Sequence, residues 1–338
     1  MKSFLMRKNV WLSPKIYFIN ALGAMAFGLF STLLVGTILN SIGSTFNIKF
    51  LSETIWPLAQ QATGPAIAVS IAYALSAPNL VIFASTVVGI AGNQLGGPMG
   101  VYIATLFAVE FGKIVSKETK IDIVITPVVT VLVGVSIANF VGPSINALMT
   151  GIGKIIMIAT DQQPFIMGII VSVIVGIVLT LPISSAALCM MLSLSGLAGG
   201  AATIGCCCQM VGFAVISLKD NGFEGLVAQG LGTSMLQMPN IVKNPKIAIP
   251  PTLASAILGP LATVVFKTTN VPIGSGMGTC GLVGQIATFT SMPEVPFLKL
   301  LLIILLIHFI LPAIVSYLIY VPLNKINWIK DGDMKLQL

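Results

Sequence analysis

QGLGTSMLQMPNIVKNPKIAIPP, residues Gln229 to Pro251, is rich in glycine, proline, amides and hydroxyls, yet it lies deep in a very apolar chain. A continuous membrane helix would not be built from it. Within a bilayer, irregular backbone persists only where neighbouring protein or a wet cavity satisfies its N–H and C=O groups, so this composition predicts a re-entrant or broken element lining a pathway. PIGSGMGTCGLVG, Pro272 to Gly284, has the same character, and one ordinary hydrophobic run, Thr252 to Phe266, separates the two. Two polar segments flanking one membrane helix predict a solute site. The competing reading is a pair of loops at the water interface, since glycine and proline are common in membrane helices generally.

Composition narrows the class. Of 338 residues, 56% are hydrophobic and only 8% charged, too little polar surface to enclose a soluble globule of that size. The chain is an integral membrane protein, and a soluble enzyme is excluded. Its net charge of +7 comes from lysines spread singly between apolar runs. They make no basic face for nucleic acid and fit membrane orientation instead. Cys189, Cys206, Cys207, Cys208 and Cys280 sit in apolar sequence with no CxxC pair and no nearby histidine. They read as small buried hydrophobes, not as a metal or redox site. No catalytic nucleophile, metal cluster, phosphate loop or cofactor motif is visible.

The start of the chain mixes Lys2, Arg7, Lys8 and Lys15 with Phe4, Leu5, Val10 and Trp11. This predicts a cytoplasmic amphipathic segment over residues 1–16. The apolar run that follows is longer than a signal-peptide h-region and lacks a convincing cleavage site, so it reads as a retained first helix, Tyr17 to Ile42. Further spans are expected at Trp56 to Leu75, Leu80 to Ala91, Met99 to Ile114, Ile123 to Val141, Phe165 to Leu181, Ala186 to Leu197, Ala201 to Leu218, Thr252 to Phe266 and Lys299 to Leu323. Gly196 to Gly200 would be a small-residue hairpin between two of them. GNQLGGP, Gly92 to Pro98, is a third irregular polar stretch. Gly142 to Gln163, with Asn146, Lys154 and Asp161 among isoleucines, reads as an amphipathic helix on the membrane surface.

Placing the lysine-rich loops and both termini on the cytoplasmic side requires an even number of crossings. About ten satisfies the positive-inside rule, and eight is equally compatible. The expected fold is therefore an all-α polytopic membrane protein of eight to ten transmembrane helices, with re-entrant segments and an amphipathic surface helix. Residues 17–323 form one membrane-embedded domain and 324–338 a cytoplasmic tail. Two candidate proton carriers fall inside predicted spans, Glu110 and His308. Glu110 lies three residues before Lys113, on one helix face, and reads either as a snorkelling pair at the interface or as a proton-coupling site. His308 is the only histidine.

The order of motifs resembles a known family. GPAIAVSIAYAL (Gly64 to Leu75), VGPSINALMTGI (Val141 to Ile152), PISSAA (Pro182 to Ala187), NPKIAIP (Asn244 to Pro250) and VPIGSG (Val271 to Gly276) are similar, in the same order, to motifs of the fructose-type membrane subunit (IIC) of the bacterial phosphotransferase system. The chain also resembles the stand-alone IIC-like group of small Gram-positive membrane proteins, which includes one described as a toxin-gene regulator. The resemblance implies a homodimer in the bacterial inner membrane that moves a sugar through re-entrant segments, with phosphate supplied by separate soluble phosphotransferase subunits.

The ionisable residues of that family's motifs are replaced here. Its acidic TEGAIP glutamate aligns with Met235 or, with a shifted gap, Ser234. Its FDMGGP aspartate aligns with Val178, the following VNK with Ile183, Ser184 and Ser185, and its PHGG histidine with Ile273. The polar groups left at these places are Asn93, Gln94, Ser184, Ser185, Thr233, Ser234, Gln237, Asn240, Ser275 and Thr279. They suit a small neutral solute such as a sugar or polyol, and equally they can satisfy broken backbone inside the membrane. With no base in place, these residues give no support for coupling transport to phosphorylation. Three functions follow: a IIC-type permease for a neutral carbohydrate, a non-transporting sensor with a IIC-like fold, or an ion-coupled transporter working through Glu110 and His308.

Overall fold

A computed structural model describes residues 2–10, 13–160 and 162–336, and it is helical, with no strand among those residues. Trp11 and Asp161, used above in the two amphipathic readings, lie outside the described residues. Among the described residues, six helices are long and apolar enough to cross a membrane: Ile16–Ser44, Asn79–Val115, Asp122–Thr160, Gly196–Ile216, Pro245–Val265 and Phe297–Lys325. Pro164–Thr180 is a shorter apolar helix. The chain divides into two compact units, Met1–Gly36 with Lys49–Met149, and Thr37–Ile48 with Thr150–Leu338.

In the first unit, Asn79–Val115 is two helical arms and not one rod. Gly96 (φ −150°) and Gly97 (φ +59°, ψ −157°) leave helical geometry, and Pro98 follows them. Only glycine adopts the Gly97 conformation without strain, and a proline after such a break suits the first turn of a new helix. The arms fold back on each other: a Cβ at Gly92 would lie 2.7 Å from the Val101 Cα, and one at Gly112 would lie 2.9 Å from a Val81 methyl. Each arm is about 25 Å long, close to the hydrocarbon thickness of ~30 Å. The GNQLGGP stretch is therefore the apex of a helical hairpin, with Asn93 and Gln94 in the last turn of its first arm.

Small residues seat the neighbouring helices. A Cβ at Gly64 would strike the Gly89 carbonyl, and one at Gly28 would lie 2.7 Å from the Ala66 carbonyl oxygen. Val88, Ala104, Ala108 and Ala138 fill the space between the hairpin and Asp122–Thr160. That last helix corrects the sequence reading at 142–163. Residues 142–160 continue the preceding span as one helix, about 58 Å long, without a separate surface helix. Pro143 lies within it and does not end it.

The second unit is built on Gly196–Ile216, whose membrane-length window is 94% buried. Glycine, alanine, threonine and cysteine make up most of its surface, and small side chains let membrane helices approach to backbone contact. Gly205 abuts the Ser172 carbonyl of Pro164–Thr180, Gly176 of that helix faces the Gly205 carbonyl, and Gly212 lies against Ser316 and Pro251. Ile204 and Cys208 pack with Ala254, Leu258, Ala262 and Ile307. All five cysteines are buried and free of disulfides.

The expected hairpin at Gly196–Gly200 is absent. A short helix, Ser185–Met191, ends before Ser193 (φ +49°), and the core helix begins after Ser195. Gly199 and Gly200 press on the backbone of Thr268 and Asn270, and Gly196 exchanges two backbone hydrogen bonds with Asn270 (3.0 and 3.1 Å). The small residues serve a close contact, but with a segment distant in sequence.

Glycine at 205 is thus required by packing, whereas Gly151 has nothing within 4 Å of a would-be Cβ. Gly205→Ala should destabilise the detergent-purified protein by about 1–3 kcal/mol through overpacking. Gly151→Ala, in an open helical position, should be neutral or stabilising by up to about 1 kcal/mol. Thermal unfolding of the two variants side by side checks both, and equal melting temperatures would contradict the assignment.

Candidate functional site

The stretch Gln229–Pro251 is broken into short pieces. A π turn over Ala228–Gly232 is followed by extended Thr233, a 3-10 turn at Ser234–Gln237, a helix at Met238–Lys243, extended Asn244 and a second 3-10 turn at Pro245–Ala248. Side chains restart the chain after each break. Thr233 Oγ1 accepts from the Met235 N–H (3.1 Å) and Asn244 Oδ1 from the Lys246 N–H (3.2 Å). Pro239 and Pro245 sit in first turns, where their missing N–H is not needed. Ser234, Met235, Leu236, Gln237 and Asn240 are buried.

Pro272–Gly284 is equally irregular, with positive φ at Gly278, Gly281 and Leu282. Gly278 lies against Cys206 and Cys207 of the core helix. Thr279 Oγ1 donates to the Gly230 carbonyl, which joins the two irregular stretches, and also lies 3.5 Å from Met210 Sδ of the core helix. Ser275 Oγ donates to the carbonyls of Leu194 (2.7 Å) and Val271 (2.9 Å), and Ser185 Oγ to that of Gly276 (2.6 Å). Ser184 is half-buried at the start of the same segment.

Of the ten uncharged candidates, eight therefore belong to the second unit. Ser234, Gln237 and Asn240 occupy one irregular stretch, Ser275 and Thr279 the other, Thr233 begins the 3-10 turn, Ser185 adjoins Gly276, and Ser184 precedes Ser185 in the chain. Asn93, half-buried, and Gln94, exposed, belong to the first unit.

Ser234 has partners that the sequence reading did not include. Its hydroxyl shares a 2.8 Å hydrogen bond with Thr180 Oγ1, which also contacts Gln209 Oε1 at 3.2 Å, and Gln209 Nε2 donates to Thr252 Oγ1 at 3.0 Å. Four uncharged side chains, from the central stretch and three packed helices, thus form one hydrogen-bonded chain, buried as far as half-buried Thr252. Gln209 is the sole amide inside Gly196–Ile216, and an isolated polar residue in an apolar span was the available signal. A second amide run starts at Gln229, whose Nε2 donates to Ser217 Oγ (2.8 Å). Gln237 Nε2 donates to Gln229 Oε1 (2.8 Å), and Asn240 Nδ2 to Gln237 Oε1 (2.9 Å).

The two ionisable candidates lie elsewhere. Lys113, 2% exposed, directs its ammonium to Glu110 Oε1 (3.2 Å) and to the carbonyls of Asn9 (2.8 Å) and Leu75 (3.0 Å). It is a buried clamp on the N-terminal segment, whereas a snorkelling lysine would end in water. Glu110 Oε2 has no hydrogen-bond partner among the described residues. His308, in the second unit, lies on a π-helical turn with its Nδ1 3.0 Å from Gln285 Nε2. Among the described residues no three metal-ligating side chains cluster. Two open grooves of about 460 and 480 Å³, lined mainly by apolar side chains with Lys154 and Lys299, include none of the candidate site residues.

Several long apolar helices, with two irregular polar stretches joined on a buried small-residue helix, define a multi-pass membrane protein. A sequence model of the family described as "Phosphotransferase system, EIIC" matches residues 19–336, so the chain belongs to that family, the membrane permease component that works with soluble phosphotransferase partners. No significant match was found among curated proteins or among solved structures.

A second tie on the N-terminal segment, Arg7 and Lys8 with Glu118, has a pH signature. Lys8, hydrogen-bonded beside Glu118, holds that carboxyl below its usual range, and the Lys8 and Arg7 charges add to the effect. A depressed folded-state pKa stabilises above the unfolded value, and the contribution is lost as pH falls through the folded one. Glu118→Gln should therefore speed amide exchange in residues 2–10 at pH about 7, by no more than a few-fold for so exposed a pair, and the difference should shrink as pH falls through the folded-state pKa of Glu118. Equal exchange at neutral pH would show the ion pair to be idle.

Proposed function

We propose that this protein is a permease subunit for a neutral carbohydrate or similar polyhydroxylated solute, recognised in the second unit by hydroxyls and amides. The observation that carries this reading is the uncharged chain Ser234, Thr180, Gln209 and Thr252. Resemblance to the fructose-type subunits aligns their acidic residue with Ser234 or Met235. Hydroxyl and amide groups both donate and accept, so they can exchange bonds among themselves for bonds to a solute without a charge being stripped of water. Ser184, Ser185, Thr233, Gln237, Asn240, Ser275 and Thr279, with Asn93 and Gln94, are the further candidate contacts.

In this reading the protein is a fructose-type relative of the stand-alone branch. It resides in a bacterial cytoplasmic membrane as a homodimer, with residues 17–323 embedded and both termini cytoplasmic. Translocation proceeds without phosphorylation of the solute, because no candidate contact can act as a general base at neutral pH. A regulatory role is the second reading, favoured by that same loss of carboxylates. Ion coupling would fall to Glu110 and His308, and the tie of Glu110 to Lys113 speaks for a structural role at that position.

Uptake by the purified protein in liposomes across a panel of sugars and polyols tests the reading. At least one should be taken up without a phosphoryl donor, and Gln209→Leu should weaken its apparent affinity about tenfold, the worth of one or two hydrogen bonds. Absence of uptake and of binding across the panel, with or without soluble phosphotransferase subunits, would refute the permease.

A further inference from the structure

Residues 327–336 run along the face made by the end of the core helix and the central stretch, and side chains hold them there by gripping backbone. Asp220 accepts from the N–H groups of Gly332 (2.9 Å) and Met334 (3.2 Å). Asn221 accepts from the Leu336 N–H (2.7 Å) and donates to the Met334 carbonyl (2.8 Å). Gln237 Nε2 donates to that same carbonyl (2.9 Å) and Asn240 Nδ2 to the carbonyl of Lys335 (3.0 Å). Ile329 and Met334 are buried with Phe213, Ile216 and Ile247.

Two of the three donors do not depend on the tail for their orientation, whereas Asn221 is hydrogen-bonded to the tail through both its amide atoms. Gln237 and Asn240 are already fixed by the amide run that begins at Gln229, and each turns a remaining N–H toward the tail. Three amide donors thus converge on two carbonyl oxygens. A carboxamide N–H aimed at a fixed point binds a hydroxyl oxygen as readily as a carbonyl oxygen. Two of the three donors, Gln237 and Asn240, are candidate solute contacts.

We propose that residues 332–336 act as a resident pseudo-ligand: Asn221, Gln237 and Asn240 form a subsite for the oxygens of a neutral carbohydrate, and tail and solute compete for it. The proposal rests on the carbohydrate reading above. It adds Asn221 to the site and makes the tail an occupant that must leave before the subsite can fill. Apparent solute affinity is then lowered by the fraction of molecules in which the tail is docked. A tail that served only as a structural strap would carry no such penalty.

The test uses the full chain carrying Met334→Cys. Met334 is buried in the docked tail and the five native cysteines are buried too, so a water-soluble maleimide reports tail release. Asp220→Ala removes two acceptors for tail N–H groups and leaves the three amide donors in place. Gly332→Pro loosens the tail from its own side, because proline has no N–H and cannot adopt φ +90°. Labelling should be faster in both variants, and fructose, glucose or mannitol, measured by calorimetry, should bind about tenfold more tightly than to the parent. Sugar added to the parent should itself speed labelling. Faster labelling with unchanged sugar affinity overturns the competition and leaves the permease reading intact, and unchanged labelling in both variants overturns the docking contacts as drawn. If no sugar binds the parent or either variant, the carbohydrate reading fails and this inference with it.

Discussion

Backbone against backbone, Gly205 on Ser172 and Gly176 on Gly205, sets the geometry of the second unit. Between helices in lipid there is little hydrophobic gain to be had, so close van der Waals contact must supply the association, and it is strongest where no side chain intervenes. That contact brings Pro164–Thr180 alongside the core helix. Thr180, at the end of the first, then meets Gln209 of the second and Ser234 of the central stretch. The polar cluster in this unit is therefore a consequence of apolar packing: a Cβ at Gly205 would move both partners of the hydrogen-bonded chain.

The first unit uses the same device for another end. Gly64 on Gly89 and Gly92 on Val101 hold a hairpin whose apex is built from Gly96, Gly97 and Pro98. A buried charge there is handled differently. Lys113 satisfies its three protons on Glu110, Asn9 and Leu75 and so ties helix, loop and N-terminal segment into one knot. A buried ammonium is tolerable only when so paired and hydrogen-bonded, and removing any partner would leave a costly group behind. At the other end of the chain, uncharged amides and Asp220 perform the equivalent task on the C-terminal residues.

Neutrality of the candidate site and the closeness of its packing belong together. A carboxylate among Ser234, Thr180 and Gln209 would require compensation that three neutral groups cannot give. Hydroxyls and amides complete one another, which allows the cluster to close tightly. The same property suits a solute that presents many hydroxyls and no charge.

By itself the sequence determined the class: the apolar fraction and the absence of charge over long runs permit only a helical membrane protein. It also located the two irregular stretches, because glycine, proline and amides at Gln229–Pro251 and Pro272–Gly284 are incompatible with continuous helix. Local rules went no further. Whether Gly142 and Pro143 end a helix, and whether Gly196–Gly200 make a hairpin, depends on what lies opposite them, and Thr268 and Asn270, the partners of Gly199 and Gly200, are about seventy residues away. Thr180, Gln209 and Thr252 were illegible as a cluster for the same reason, since their spacing in sequence carries no trace of the helix packing that joins them. Tertiary structure alone decided that the final residues fold back onto Gln237 and Asn240, because a hydrogen bond from a side chain to distant backbone leaves no pattern in either segment.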